Sequence, residues 1–222
     1  MSVLDWSFVS LISGALLFMF FSLVLLFNSI RNTKKLKFYK KRRPPKNKKK
    51  RKRFIRAKRS LEQSIRKQLT WGIILFLFAG IAVGGASYSR YYQQNHLQGK
   101  DSEAIVQGYY ALQETAKQLE NIKQNDNPQK SLKNLRQMAA KMTTYGYTKA
   151  SSALKEDGQV LLNRHFTRLK ELGTNLYSQK IENLQDEDAY ANYMEDIKKS
   201  QETQAEVFKR FNINEDALKK KQ

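Results

Sequence analysis

Two stretches without a charged side chain organise the first part of the chain. Residues 6–30 carry no charge, and their core, FVSLISGALLFMFFSLVLLF at residues 8–27, is 20 residues long. At about 1.5 Å rise per residue that length matches a hydrocarbon core of roughly 30 Å. No basic residue precedes the stretch and a dense basic block follows it, so it reads as a transmembrane helix rather than a cleaved signal peptide. A second uncharged run covers residues 68–89, with LTWGIILFLFAGIAVGGASY as its apolar body. Trp71 near its start and Tyr88, Tyr91 and Tyr92 at its end sit where amphipathic rings favour the headgroup level. Gly80 with Gly84, and Ala82 with Ala86, recur at the fourth spacing. Ser10 and Gly14 offer a similar small face on the first span, so the pattern predicts helix packing through these residues. Gly84 and Ala86 also resemble the small residues before a signal-peptidase cut, but the length of the run and the span ahead of it argue against cleavage after Ala86.

From residue 89 onward the period changes. Ile105, Tyr109, Leu112, Ala116 and Leu119 step by 4, 3, 4 and 3, a helical seam for which Asp101 is the expected N-cap. NDNPQ at residues 125–129 predicts a turn, and Leu132, Leu135, Ala139 and Met142 continue on a second helix that TTYGYT should break. A third helix is expected over residues 149–172, with a kink at Asp157-Gly158 and Gly173 as its C-cap. A long last helix shows Tyr190, Tyr193, Ile197, Ser200, Gln204, Val207 and Phe211 on one face. Its polar centre marks Tyr193, Ile197, Ser200 and Gln204 as a possible partner seam. Helices of this length with short connections pack as antiparallel neighbours.

Charge fixes the orientation expected. Lys and Arg number 41 against 20 Asp and Glu, a net charge of +21. Residues 1–30 sum to −1, residues 31–67 to +19 and residues 89–222 to +3. A uniformly basic soluble protein is excluded. Because 20 basic residues follow the first span and none precede it, residues 31–67 are expected on the cytoplasmic side with both termini outside. The fold class predicted is all-α: two transmembrane helices forming a hairpin plus an extracytoplasmic helical bundle. The segments are 1–30 (tail and first span), 31–67 (basic loop), 68–89 (second span) and 90–222 (bundle). The Lys- and Asn-rich composition suggests a low-GC Gram-positive bacterium, and hence its plasma membrane.

Within the basic loop, self-repulsion is expected to keep the first half extended, and Pro44-Pro45 exclude a helix across the middle. After them Phe54, Ala57, Leu61 and Ile65 fall at helical spacing and predict a basic amphipathic helix lying in the headgroup region. Its Lys48, Lys49, Lys50, Arg51, Lys52, Arg53, Arg56, Lys58 and Arg59 would hold anionic lipid of the inner leaflet, at about 1 kcal/mol for each residue near the surface. A nucleic acid or an acidic protein could occupy the same cations. The aromatics Phe38, Tyr39 and Phe54 are sparse for stacking on single strands, which makes nucleic acid the less favoured partner.

Candidate chemistry adds little. The chain has no Cys, which excludes disulfides, thiolate metal sites and a lipoprotein anchor. His96 and His165 are the only histidines, neither has a second ligand at metal spacing, and a structural or surface role is expected for both. Asp186-Glu187-Asp188 lacks the spacing of a calcium loop and is explained by the helix it opens. No phosphate loop, nucleophile elbow or zinc motif occurs, and neither span holds an ionisable residue in its interior. No catalytic residue, cofactor or metal is therefore expected. The function expected is a non-enzymatic membrane scaffold or assembly factor in envelope machinery such as secretion, conjugation or division, with envelope proteins or further copies of the chain as partners. An oligomeric channel or transporter subunit, and a tether acting through the basic loop, are the alternatives.

Overall fold

The computed structural model describes residues 3–219. It is helical throughout, with no strand among the described residues: α1 (Val3–Lys41), α2 (Lys48–Asn95), α3 (Gly99–Lys123), α4 (Pro128–Gly146), α5 (Glu156–Tyr177), α6 (Ile181–Gln185), α7 (Glu187–Phe211) and α8 (Glu215–Lys219). The chain divides after Tyr91 into two compact units.

The first unit is an antiparallel helix pair. Ser22 Oγ donates to the Gly72 carbonyl at 2.8 Å, Asn32 Nδ2 donates to Gln68 Oε1 at 3.0 Å, and Phe18 meets Phe78 with ring centroids 6.2 Å apart. The seam has a seven-residue period of small side chains. Ala15, Ser22 and Ser29 are buried on α1, and Gly72, Ala79 and Ala86 on α2. Small residues at each seventh position let two helix backbones approach closely along a coiled-coil seam. At Gly72 an added Cβ would lie 3.0 Å from Leu26 Cδ2, so a larger residue there would require the Leu26 side chain to shift.

The basic segment is more helical than its charge predicts. α1 continues to Lys41, and only residues 42–47, around Pro44-Pro45, leave helical geometry. The expectation of an extended first half is overturned for two reasons. Tyr39 continues the seam against Phe54, with ring centroids 5.5 Å apart, and Lys40 and Lys41 sit in the last turn of α1, where the helix dipole favours cations.

The second unit is an up-down-up-down bundle of α3, α4, α5 and α7. α4 packs between α3 and α5, and α7 closes the ring against both α5 and α3. Ile105, Leu112, Leu119, Leu135, Met142, Leu162, Leu169 and Ile197 fill a single core, which includes nearly every residue of the α3 and α4 seams expected from periodicity. The turn before α4 holds Asn125 and Asn127 at φ of 59° and 45°, and Asn212 ends α7 at φ of 54°. Asparagine tolerates this left-handed region better than other residues with a side chain.

Three expectations about the bundle are corrected. α5 begins at Glu156, so Asp157 and Gly158 form its first turn rather than a kink. Gly173 is not a C-cap, because α5 runs on to Tyr177. A Cβ at Gly173 would lie 2.6 Å from the Ala139 carbonyl oxygen, and one at Gly146 would lie 2.5 Å from the Lys170 nitrogen, so the two glycines let α4 and α5 touch backbone to backbone. Asp101 is not the N-cap of α3, a place taken by Gln98. It lies within the first turn, buried, and its carboxylate accepts the Ser151 N–H at 3.0 Å, tying the start of α3 to the loop before α5.

Candidate membrane-contact pair and basic turn

α1 and α2 are each long and apolar enough to cross a membrane, and their apolar surface points away from their own contact. Only 11 % of the most apolar 18-residue stretch of α1, and 22 % of that of α2, is buried. Leu16, Leu17, Phe20, Phe21, Leu77 and Ile81 are all more than half exposed. In the second unit the large apolar side chains standing exposed among the described residues are Tyr92, Tyr147, Val160 and Tyr177. One unit thus hides its apolar residues and the other displays them.

The small residues expected to pack the spans are placed differently from the sequence reading. Ala86 is fully buried and Ala82 half-buried, as helix packing requires. Gly80, Gly84 and Gly14 have nothing within 4 Å of an added Cβ, and Ser10 is exposed with its hydroxyl turned back to the Ser7 carbonyl. These four therefore lie outside the α1–α2 contact, which uses the seventh-residue series instead of the fourth-residue one. The seven-residue spacing of Gly72, Ala79 and Ala86 is present in the sequence beside the more conspicuous Gly80/Gly84 pair.

Of the cations expected at lipid, Lys48, Lys49, Lys50, Arg51, Lys52, Arg53, Arg56 and Arg59 are exposed and Lys58 is half-buried. All lie on the first turns of α2. Phe54, Ala57, Leu61 and Ile65 are half-buried, and this stripe carries the α2 seam onward from Gly72 toward α1. The amphipathic helix exists, and its apolar stripe is half-buried, with Phe54 packed against Tyr39 of α1.

In the bundle the expected partner seam is a correction. Ile197, Ser200 and Gln204 are buried and Tyr193 is half-buried, so this face is taken up inside the fold. Beside these residues Arg168 of α5 donates to Thr203 Oγ1 and to the Lys199 carbonyl, whereas Gln204 Nε2 is buried with no hydrogen-bond partner among the described residues. The groove beside them is a mixed-sign surface lined by Arg168, Glu171, Leu172, Asn175, Asp196, Lys199 and Ser200.

His165 is deeply buried, and neither ring nitrogen has a hydrogen-bond partner among the described residues. Burial, with the Arg168 charge as a lesser cause, lowers its pKa to about 4. The residue thus lies in the interior of the bundle, not at its surface. His96 lies elsewhere, stacked on Tyr92 at 4.0 Å between ring centroids. No group of three or more His, Cys, Asp or Glu side chains that could hold a metal ion occurs among the described residues.

Asp101 gives a direct prediction. Burial raises its pKa above the ordinary 3.8, against the opposing hydrogen bond from Ser151. The folded state thus holds the carboxyl proton more tightly than the unfolded chain, so this residue's contribution to stability falls as pH rises from 3.8 through the raised value. Asp101→Ala leaves the Ser151 N–H without its acceptor and is expected to cost about 1–3 kcal/mol. Asp101→Asn keeps an oxygen acceptor and is expected to lose less than half as much while flattening the acid-range slope. Chemical unfolding of the three proteins across pH decides this, and equal losses for Ala and Asn would refute the role given to the hydrogen bond.

Compared with protein-family models, with characterised proteins and with solved structures, the chain shows no match.

Proposed function

We propose that the protein is a two-span membrane protein that displays its helical bundle on the outer side of a bacterial plasma membrane, as a non-enzymatic scaffold or assembly factor of envelope machinery. The observation that carries this reading is the contrast between the units. Apolar side chains cover the outside of the α1–α2 pair and are withdrawn into the core of the bundle. Solvating such a pair in water exposes surface at roughly 25 cal/mol per Å², whereas in a bilayer the same surface is matched to its solvent. The 20 cations at one end of the pair orient it with its turn in the cytoplasm.

The bundle suits a presentation role. It is large enough to keep its own core, and its charge is close to neutral. Arg31, Lys34, Lys35, Arg66 and Lys67, nearest the charge-free runs, are placed to meet anionic headgroups.

Two measurements test the reading. With no native Cys as background, an impermeant thiol reagent applied to intact cells should label Lys117→Cys and spare Asn47→Cys. The reverse pattern would invert the topology and put the bundle in the cytoplasm. Purified in mild detergent, the intact chain should come away with envelope proteins or as a homo-oligomer, and a bare monomer would overturn the scaffold role.

A further inference from the structure

The position of the basic turn relative to a bilayer follows from helix rise, because α2 is one helix from Lys48 to Asn95. Arg53 lies 15 residues and Lys48 lies 20 residues before Gln68, where the charge-free run begins. At 1.5 Å per residue these are roughly 22 and 30 Å along the helix. The headgroup layer reaches only about 5–8 Å beyond the hydrocarbon core, and screening confines its field to about 8 Å more at physiological salt. The usual tilt of about 20° hardly shortens the distance. On a helix that crosses the membrane, residues 48–53 stand clear of the lipid, while Arg31, Lys34, Arg66 and Lys67 lie among the headgroups.

Lying this part of α2 down on the surface would gain little, since Phe54, Ala57, Leu61 and Ile65 are already half-buried and Tyr39 packs beside Phe54. What remains at the tip is KKKRKR, residues 48–53, all exposed and with no acid in the first turn of the helix. Six successive residues on a helix cover all its sides, so a polyanion meets cations from any direction. These cations also crowd the positive end of the helix dipole and repel one another one turn apart, a strain that an external anion relieves.

We propose that this tip binds the phosphate backbone of a nucleic acid on the cytoplasmic side, without sequence preference. The proposal rests on the two-span reading above. Neutralising phosphates requires only clustered cations, which the tip supplies. A tight protein interface usually also buries apolar or aromatic anchors at its centre. Near the tip the exposed apolar side chains among the described residues are Ile55 and Phe38, the latter with the Arg42 guanidinium 4.0 Å from its ring centroid, a sparse set of anchors beside the run of cations.

The test uses the full chain in nanodiscs of neutral phosphatidylcholine, titrated with a short duplex RNA over a salt series. The wild type should bind with an affinity that falls steeply as salt rises, as counterion release demands. Changing residues 48–53 to Gln should weaken binding at least tenfold, by about the loss expected from several phosphate contacts. Changing Arg31, Lys34, Arg66 and Lys67 to Gln should leave RNA affinity within about threefold while reducing retention on anionic vesicles. Absence of RNA binding, equal binding by the tip variant, or tighter binding of an acidic peptide of equal charge would each overturn the proposal. A spin label on Asn47→Cys separates the two layers of argument. Contact of the label with anionic headgroups overturns the stand-off of the tip while leaving the two spans intact. Failure of the chain to enter nanodiscs removes the two-span reading, and the tip's placement with it.

Discussion

Replacing Gly173 by alanine is expected to destabilise the bundle by about 2–4 kcal/mol, at the upper end of what overpacking costs. Inside a helix the same substitution would ordinarily help by roughly 1 kcal/mol through propensity, so the sign of the result is itself informative. The reason for the opposite sign is the α4–α5 crossing. The new methyl would lie 2.6 Å from the Ala139 carbonyl oxygen and 2.8 Å from the Thr143 nitrogen, both backbone atoms of α4 that cannot step aside singly. Relief requires the two helices to separate, which opens gaps around Ala139, Met142 and Leu169 in the core.

Gly108→Ala is the internal control. Its added methyl meets only Leu169 Cδ1, at 2.8 Å, the far end of a side chain that can turn, so the expected change is within about 1 kcal/mol. Both tryptophans lie in the first unit, so a reporter inside the bundle is needed. Ala111→Cys, at a buried position in a chain with no other cysteine, supplies one through its rate of thiol labelling. If the Gly173 variant labelled no faster than its Gly108 counterpart, the backbone contact would not be what holds α4 to α5.

Acidification is expected to have the second large effect. The His165 imidazole is buried with both nitrogens unpartnered, and burial, aided by the Arg168 charge, brings its pKa down to about 4 from the ordinary 6.5. Above pH 6.5 the ring is neutral in both folded and unfolded chains and the full stability is present. As pH falls below that value the unfolded chain takes up a proton that the folded chain refuses, and stability is lost until the folded pKa is reached. At about 1.4 kcal/mol per pH unit the loss over this window approaches 3 kcal/mol. Asp101, whose pKa is raised, works in the opposite sense and tempers the fall toward the acid end. His165→Leu should remove most of the dependence and hold or improve stability at neutral pH, because an unsatisfied ring gives way to an apolar side chain in an apolar place. An acid transition unchanged in this variant would show that other groups control it.

The order of elements was legible where local signals act alone. The Pro44-Pro45 break, the left-handed asparagines of the turn before α4 and the seams through Ile105, Leu112 and Leu119 and through Leu135 and Met142 all follow from spacing and turn chemistry. What escaped the sequence depends on a neighbour. A glycine that ends a helix and one that admits another backbone look alike along the chain, so Gly173 was misplaced until α4 was beside it. Asp101 resembles a cap until the Ser151 N–H arrives from 50 residues away. Ser200 and Gln204 resemble a surface seam because polar residues are usually outside, and their burial is intelligible only with α5 in place. The same holds for the basic segment. Its charge argues for an extended chain, and only the pairing of α1 with α2 gives Leu36, Tyr39 and Phe54 something to pack against.

The Ser22 hydroxyl, which reaches the Gly72 carbonyl across the seam, bears on how the pair is made. During synthesis α1 is complete before Gly72 exists, and a serine in an apolar helix can meanwhile bond to a carbonyl of its own preceding turn. Where α1 has made such a bond, the one in the finished pair replaces it, and the exchange contributes little net energy. What draws α2 into place is then the close fit of Ala15, Ser22 and Ser29 against Gly72, Ala79 and Ala86, while the hydroxyl selects the register at which the arriving helix stops.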